Sequence, residues 1–105
     1  MANSITKNWS DVSADPISED AIRALHQPAA HFSVYANVYG SGEKFTLKAG
    51  HNFVLYVLIG ACRSSIDGQD VQVEAGQLMA LDMGSYQFEA VGADGVRLVK
   101  VFGRL

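Results

Sequence analysis

The sequence predicts one mostly β domain that begins with a short helix, and three observations support this fold class. The chain has 105 residues, 49% of them hydrophobic, which suffices for one packed core. Runs rich in aromatic and β-branched residues recur from His31 onward. Glycine or aspartate turns separate these runs about every 8 to 12 residues. Short strands at this spacing are typical of a β-sandwich or β-barrel.

Residues 1–30 form an N-terminal arm that holds both prolines of the chain. The pair Asp15-Pro16 predicts a helix start, with Asp15 as the N-cap and Pro16 at the first helical position. Apolar residues then recur at helical spacing, and the helix should end before Pro28. The predicted buried stripe of this helix consists of Ile17, Ala21, Ala24 and Leu25.

Residues 31–105 carry the strand pattern. The segment around Asp67-Gly68 alternates apolar and polar residues, which predicts a hairpin. Residues 53–59 are apolar without interruption, so both faces of that strand must be covered. The predicted strands, with the two hairpin arms taken together, are residues 31–39, 45–49, 53–59, 64–73, 77–81, 85–91 and 96–102.

Charge and composition argue against several partners. The net charge is −3, and the eight lysines and arginines are scattered singly, whereas nucleic-acid binding usually needs a basic face. The longest apolar run, residues 53–59, is far too short to cross a membrane as a helix, and residues 1–10 are polar, unlike a signal peptide. The single cysteine, Cys62, cannot form an internal disulfide. We therefore expect a cytoplasmic protein with neither nucleic acid nor a membrane as partner.

Three short motifs, in their order and spacing, resemble the centre of a cupin. They are Tyr56-Val57-Leu58-Ile59-Gly60, Ile66-Asp67-Gly68 and Val73-Glu74-Ala75-Gly76-Gln77. In that family a strand ending in such a glycine is followed by an Asp-Gly hairpin and then by a Pro-Gly-Asp-like turn. The resemblance implies an all-β, cupin-like jelly-roll barrel (a double-stranded β-helix) over residues 31–105, often dimeric.

The metal-binding positions of the family are not matched in this sequence. Aligned on the two motif glycines, the two histidines of the first cupin motif fall on Leu47 and Ala49, and its glutamate falls on Phe53. The histidine of the second motif falls on Gln87. Leucine, alanine and phenylalanine cannot hold a divalent metal, and glutamine is a poor ligand. We therefore expect neither a metal nor another cofactor.

One alternative keeps a metal. His51 lies next to Gly50, near the first motif. If the alignment shifts by two residues, His51 turns inward and can form a non-standard metal site with Glu89. The simpler interpretation is that His51 is an exposed turn residue without a special role.

Strand alternation predicts which side chains face the interior. The predicted interior is mainly apolar, with Gln87 and Glu89 as its polar members, and such a cavity is typical of a small-molecule site. A buried Glu89 could act as an acid or base. The alternative is a barrel filled by its own side chains. The candidate ligand-binding residues are Leu47, Ala49, Phe53, Gln87, Glu89, Tyr35 and Asn37, with His51 as an alternative polar site.

The outward side chains of residues 53–59 are also apolar. Val54, Tyr56 and Leu58 must be covered either by the N-terminal helix or by a second subunit. We expect a homodimer that packs sheet against sheet, as the cupin resemblance also implies.

Three functions are compatible with the sequence. The first is a metal-free binding module that takes a small, largely apolar molecule into the barrel. The second is a cupin-type lyase, isomerase or oxygenase with a cofactor-free or non-standard site, using residues such as Glu89, Tyr35 or His51. The third is a structural dimeric domain with a filled barrel.

Overall fold

The computed structural model describes residues 6–66 and 68–103. The helix α1 spans Glu19–Leu25, and two 3₁₀ helices span Trp9–Asp11 and Ala29–His31. The strands in the described part are β1 (Thr6–Asn8), β2 (Phe32–Tyr39), β3 (Lys44–Ala49), β4 (Phe53–Ile66), β5 (Gln69–Glu74), β6 (Gln77–Leu81), β7 (Gly84–Ala90) and β8 (Val96–Gly103).

The predicted strands from residue 31 onward are present, and the mostly β fold class is confirmed. The strand predicted to end at Ile59 continues to Ile66, where it becomes the first arm of the predicted hairpin. Asp67 of the predicted hairpin turn lies outside the described residues, and β4 and β5 pair antiparallel on either side of it. The short strand β1 was not predicted; it pairs with β6, so the N-terminal arm adds a strand to the sheet.

The long strand β4 belongs to two layers. Its first half pairs with β6 and β8, and its second half pairs with β5 and β7. The first layer is completed by β1 on β6 and by β2 on β8. The second layer is completed by β3 on β7. Among the described strands, β2 and β3 are not paired with each other, so the two layers meet at an open seam between them.

A bulge and a glycine let β4 pass from one layer to the other. The register with β8 shifts between Val57 and Ile59, which marks the bulge. Gly60 follows with φ of +77°, and a Cβ atom on it would overlap the backbone carbonyl of Gly95. Only glycine tolerates both the positive φ and this close approach. The glycine of the first sequence motif is therefore required by the backbone.

The inner faces of both layers enclose one core of large apolar side chains. Alternation along β4 points Phe53, Leu55 and Val57 into it, and after the bulge Cys62 and Ile66 continue the inner row. The other core residues are Phe45, Leu47, Val73, Met79, Leu81, Phe88, Ala90, Val96 and Leu98. The space between the two layers of the described part is thus packed with the chain's own side chains. This agrees with the alternative of a filled barrel.

The N-terminal segment covers the outer face of the first layer. Trp9 and Ile22 pack on Tyr56 and on the outward side chains of β6 and β8. The indole N–H of Trp9 donates to the carbonyl of Asp15 at 2.6 Å, and the ring meets Tyr56 edge to face. Val54 and Leu58 are partly buried in the same cluster. Of the two predicted covers for this face, the N-terminal segment is the one present.

The predicted helix start and buried stripe need correction. Ser18, not Asp15, is the N-cap, because its hydroxyl accepts from the backbone N–H of Ala21 at 3.0 Å. The fully buried helix residue is Ile22, whereas Leu25 is 47% exposed. Ile17, which precedes the helix, and Ala21 and Ile22 within it pack on the sheet.

The homodimer remains a prediction, because a single chain does not test it. The reason for placing it on Val54, Tyr56 and Leu58 is weakened, since the same chain already covers that face. Val38 and Ile59, on the outer face of β2 and β4, stay largely exposed.

The packing of α1 predicts that substitutions at two residues of the same helix change the free energy of unfolding by different amounts. Ile22→Ala should lower the free energy of unfolding by about 3 kcal/mol, because it leaves a cavity under a fully buried side chain. Leu25→Ala is the matched control and should change it by less than about 0.5 kcal/mol. Urea unfolding followed by circular dichroism measures both. Equal losses would contradict the orientation of the helix.

His26, at the end of α1, links the helix to the sheet. Its Nε2 atom lies 2.8 Å from the hydroxyl of Tyr56, and its ring meets Phe32 edge to face at 4.9 Å. Partial burial lowers the pKa of His26 below its ordinary value of 6.5. The neutral imidazole is therefore the form that the folded state prefers.

This preference predicts a pH dependence of stability. Because the pKa of His26 is lower in the folded chain, the unfolded chain binds more protons, and stability is lost as the pH falls from about 6.5 through the folded pKa. His26→Gln should reduce this loss, whereas His51→Gln, at an exposed position, should keep it. Urea unfolding at several pH values between about 5 and 8 compares the three proteins. Parallel curves for wild type and His26→Gln would overturn the assignment.

Candidate ligand-binding site

A depression lies at the open end of the seam between β2 and β3. Near the β2–β3 turn the seam is closed, because the rings of Tyr39 and Phe45 stack with centroids 3.8 Å apart. At the other end of the two strands there is a depression of about 450 Å³. Its lining residues are Ser33, Tyr35, Lys48, His51, Lys100 and Phe102, and we call it the Lys100 depression.

Strand register explains why these side chains converge. In the β2–β8 pair, Tyr35 lies opposite Lys100 and Ser33 lies opposite Phe102. Directly opposed residues of antiparallel strands share a face, so these four side chains project from the same side. Along β8 this is the inner face, which holds Val96 and Leu98 deeper in the core. Lys100 therefore stands where the packed core ends and the opening begins.

Aromatic rings form the apolar floor of the depression. Phe102 stacks on Phe53 of the core with centroids 5.0 Å apart, and Tyr35 meets Phe102 edge to face at 5.8 Å. The Nζ atom of Lys100 lies 5.9 Å from the centroid of the Tyr35 ring, within the range of a cation–π contact. The site thus joins an aromatic surface to an ammonium group.

The electrostatics of the depression favour an anion. Lys48 and Lys100 line it together with His51, and no aspartate or glutamate is among its lining residues. In the described part of the chain, the ion pairs are Arg23 with Glu19 and Arg63 with Glu89, so neither lysine has a carboxylate within 4.0 Å. Partial burial lowers the pKa of Lys100 from its ordinary value of 10.5. A bound carboxylate would compensate the lysine charges that no described residue compensates.

The similar solved structures include several cupins. The cupin domain of an XRE family transcriptional regulator from Enterobacter cloacae aligns with a TM-score of 0.63 at 13% identity and covers 99% of both chains. The chain has the cupin fold. A cupin superfamily protein from Desulfitobacterium hafniense aligns with a TM-score of 0.59 at 9% identity, over 71% of this chain and 69% of that one.

An enzyme is also among the similar solved structures. Salicylate 1,2-dioxygenase from Pseudoaminobacter salicylatoxidans aligns with a TM-score of 0.58 at 14% identity, over 70% of this chain but only 20% of the dioxygenase. No protein-family model and no curated protein matches the sequence. The likeness is therefore one of fold.

The residues at the metal positions of the cupin motif do not fit a metal ion. Leu47 and Phe53 are 2% and 3% exposed and belong to the packed core, with Ala49 against it. None of these side chains carries a donor atom. Within residues 6–66 and 68–103, no group of three or more histidines, cysteines, aspartates or glutamates is placed to hold a metal.

The predicted inward orientation of Gln87 and Glu89 is wrong. On β7 the inward side chains are Phe88 and Ala90, which are buried, so Gln87 and Glu89 face outward. Glu89 pairs with Arg63 at 3.3 Å on that outer face. The ungapped alignment to the motif glycines put β7 in the wrong phase, and a shift of one residue moves every side chain of a strand to the other face.

The outer face of the second layer carries its own depression of about 340 Å³, lined by Gln87, Glu89, Arg63, Lys44 and Asp70 among others. Charges of both signs meet there, and the apolar side chains Phe45 and Phe88 of the same strands point into the core. Glu89 and His51 line different depressions, so the structure does not bring together the metal pair considered from the sequence.

Of the other predicted residues, Tyr35 and His51 line the Lys100 depression, whereas Leu47, Ala49 and Phe53 lie in or against the core beneath it. Sequence reasoning missed Lys100 and Phe102. The signal was present in the last strand, where Val96, Leu98, Lys100 and Phe102 alternate on one face. A charged residue in an otherwise apolar row marks the place where the row leaves the core.

Two further polar groups lie in the interior. Cys62 is fully buried, and burial raises the pKa of its thiol to about 12, so it is not a nucleophile at neutral pH. Asn37 lies two residues from Tyr35 on the inner face of β2, and its Oδ1 atom is buried without a hydrogen-bond partner in the described part.

In the described part of the chain, no helix combines the length and the apolar character needed to cross a membrane.

The unpartnered amide predicts an unusual stability effect. Asn37→Leu should raise the free energy of unfolding by about 1 kcal/mol, because it removes a buried polar group that lacks a hydrogen bond. The matched control is Asn52→Leu, which should lower it, because Oδ1 of Asn52 accepts from the backbone N–H of Met83 at 3.1 Å. Thermal and urea unfolding measure both. Destabilisation by Asn37→Leu would show that this amide has a partner in solution.

Proposed function

We propose that the chain is a cupin-fold module that binds a small molecule with an apolar body and a carboxylate, held in the Lys100 depression. One observation carries the proposal: two lysines and a histidine line the depression together with two aromatic rings, and no aspartate or glutamate of the described part lines it. The proposal keeps the binding role expected from the sequence but moves the ligand from the barrel interior to its mouth, and adds an acidic group.

The depression, and not the packed interior, would hold both the apolar body and the carboxylate of such a ligand. The core below the depression is filled by side chains such as Leu47, Phe53 and Leu55, so it offers no room for a ligand. The faces and edges of Tyr35 and Phe102 are open to the depression and suit an apolar or aromatic body. The ammonium groups of Lys48 and Lys100 suit a carboxylate. The volume of about 450 Å³ suits a small molecule.

The comparisons favour a binding role over catalysis by a metal. The neighbour that covers 99% of both chains is the cupin domain of a transcriptional regulator, whereas this chain spans a fifth of the dioxygenase. The positions that would hold a metal carry Leu47, Ala49, Phe53 and Gln87. The enzyme with a cofactor-free site remains the second candidate, and Lys100 is the observation that favours it. A purely structural role does not account for a half-buried lysine beside an aromatic floor.

We also propose that the two layers are the halves of a cupin jelly-roll barrel. The shared strand β4, the stacked rings of Tyr39 and Phe45 across the seam, and the common core support this. The barrel would then be open along the part of the β2–β3 seam where the Lys100 depression lies.

The binding proposal is tested with 3-phenylpropanoate, which has a phenyl ring and one carboxylate. Isothermal titration calorimetry should detect binding by the wild type. Lys100→Met should weaken it about tenfold or more, because a charge-assisted contact contributes about 1.5 to 3 kcal/mol. Lys44→Met is the matched control, because Lys44 is exposed and lines the other depression, and it should leave the affinity unchanged.

A second comparison separates the two halves of the ligand. The neutral 3-phenylpropanamide should bind more weakly than the acid, and added salt should weaken only the acid. Equal affinity for acid and amide, or equal loss in the Lys44 and Lys100 variants, would reject the carboxylate site.

A further inference from the structure

Lys100 combines three properties that an anion-binding lysine does not need together. It projects from the inner face of β8, in the same row as the buried Val96 and Leu98. Its Nζ atom lies over the Tyr35 ring, 5.9 Å from the centroid. In the described part of the chain no carboxylate lies within 4.0 Å of it to hold the ammonium form. A lysine that is desolvated and unpaired, close to other cationic groups, is the kind that reacts as an amine.

Partial desolvation favours the unprotonated amine of Lys100, and among the described residues no carboxylate lines the depression to hold the ammonium form. The other titratable groups that line the depression are Tyr35 on β2, Lys48 on β3 and His51 in the following turn. None of these side chains is a carboxylate. Burial lowers the pKa of Lys100 from 10.5, which raises the fraction of free amine available for reaction.

We propose that Lys100 captures a small 2-oxo acid with an apolar or aromatic body as a reversible imine. This inference rests on the proposed function and names the ligand class. The carboxylate would lie toward Lys48 and His51, the apolar body on Phe102 and Tyr35, and the carbonyl carbon at Lys100. An acid without the oxo group lacks the ketone carbon with which the amine reacts. An aldehyde or ketone without a carboxylate lacks the negative charge that Lys48 would attract.

The chemical step needs no further reactant. The Nζ lone pair adds to the carbonyl carbon, and a C–N bond forms. The carbonyl oxygen then leaves as water and takes both hydrogens of the neutral amine, which yields a C=N double bond. No atom is oxidised or reduced, and water reverses the step. The depression is open to solvent, so the released water can leave and return.

Reductive trapping tests the capture. The intact protein is incubated with phenylpyruvate and sodium cyanoborohydride, whose hydride converts the imine to a stable secondary amine, and is then analysed by intact mass and peptide mapping. The expected result is one adduct per chain on Lys100. Lys100→Arg keeps the charge but cannot form the imine, so the adduct should be lost, and Lys100→Met should lose it as well. Lys44→Arg should keep it.

The controls separate this inference from the binding proposal. The 3-phenylpropanoate used above differs from phenylpyruvate only by the oxo group. If it binds but phenylpyruvate gives no adduct, the capture is rejected and the binding site stands. If neither binds, both proposals fail. Adducts spread over Lys7, Lys44 and Lys48, to the same extent as in urea-unfolded protein, would also overturn a specific role of Lys100.

Discussion

The close approach of three backbone segments holds the two layers of this fold together at one end. The position of a Gly60 Cβ is occupied by the carbonyl of Gly95, and that of a Gly95 Cβ by the carbonyl of Tyr39. The crossing of β4, the turn before β8 and the end of β2 are thus stacked directly on one another. The stacking of Tyr39 on Phe45 continues this contact across the seam. Because the seam is closed at this end, an opening can form only at the other, between Tyr35 and His51.

The opening explains how the fold tolerates a charged residue in its inner row. A lysine at the position of Leu98 would bury an uncompensated charge in the core, which is strongly destabilising. Two residues further along β8, Lys100 keeps its stem against apolar side chains while its amine reaches the depression. The aromatic stack of Phe53, Phe102 and Tyr35 joins the core to this rim without a gap. The site is therefore an extension of the hydrophobic core, held on two paired strands.

The sequence predicted the strands from residue 31 onward, the inner face of β3 and that of β4 as far as Val57, because alternation and apolar runs are local properties. Ile59, expected to face inward, is 49% exposed because the bulge after Val57 changes the phase of the strand. It did not predict the phase of β7, although Phe88 and Ala90 alternate with Gln87 and Glu89 in the order the structure shows. The family alignment overrode this local signal there. The N-cap at Ser18 and the burial of Ile22 were missed because packing against Tyr56, a distant residue, sets the face of a short helix. The Lys100 depression depends on the β2–β8 register, which no local pattern contains.

The presence of lysine rather than arginine in the Lys100 depression bears on which ligands the site would bind. A receptor for carboxylates alone would gain from arginine, whose planar guanidinium binds a carboxylate through two parallel hydrogen bonds. At the rim of the depression the chain instead carries Lys48 and Lys100, and the arginines of the described part, Arg23, Arg63 and Arg97, are not among its lining residues. Unlike a guanidinium, which keeps its proton, a lysine amine can lose its proton and form an imine with a carbonyl carbon. Because three of the four cupin metal positions carry apolar side chains and the fourth carries Gln87, the reactive group of this fold would then be a lysine on the last strand.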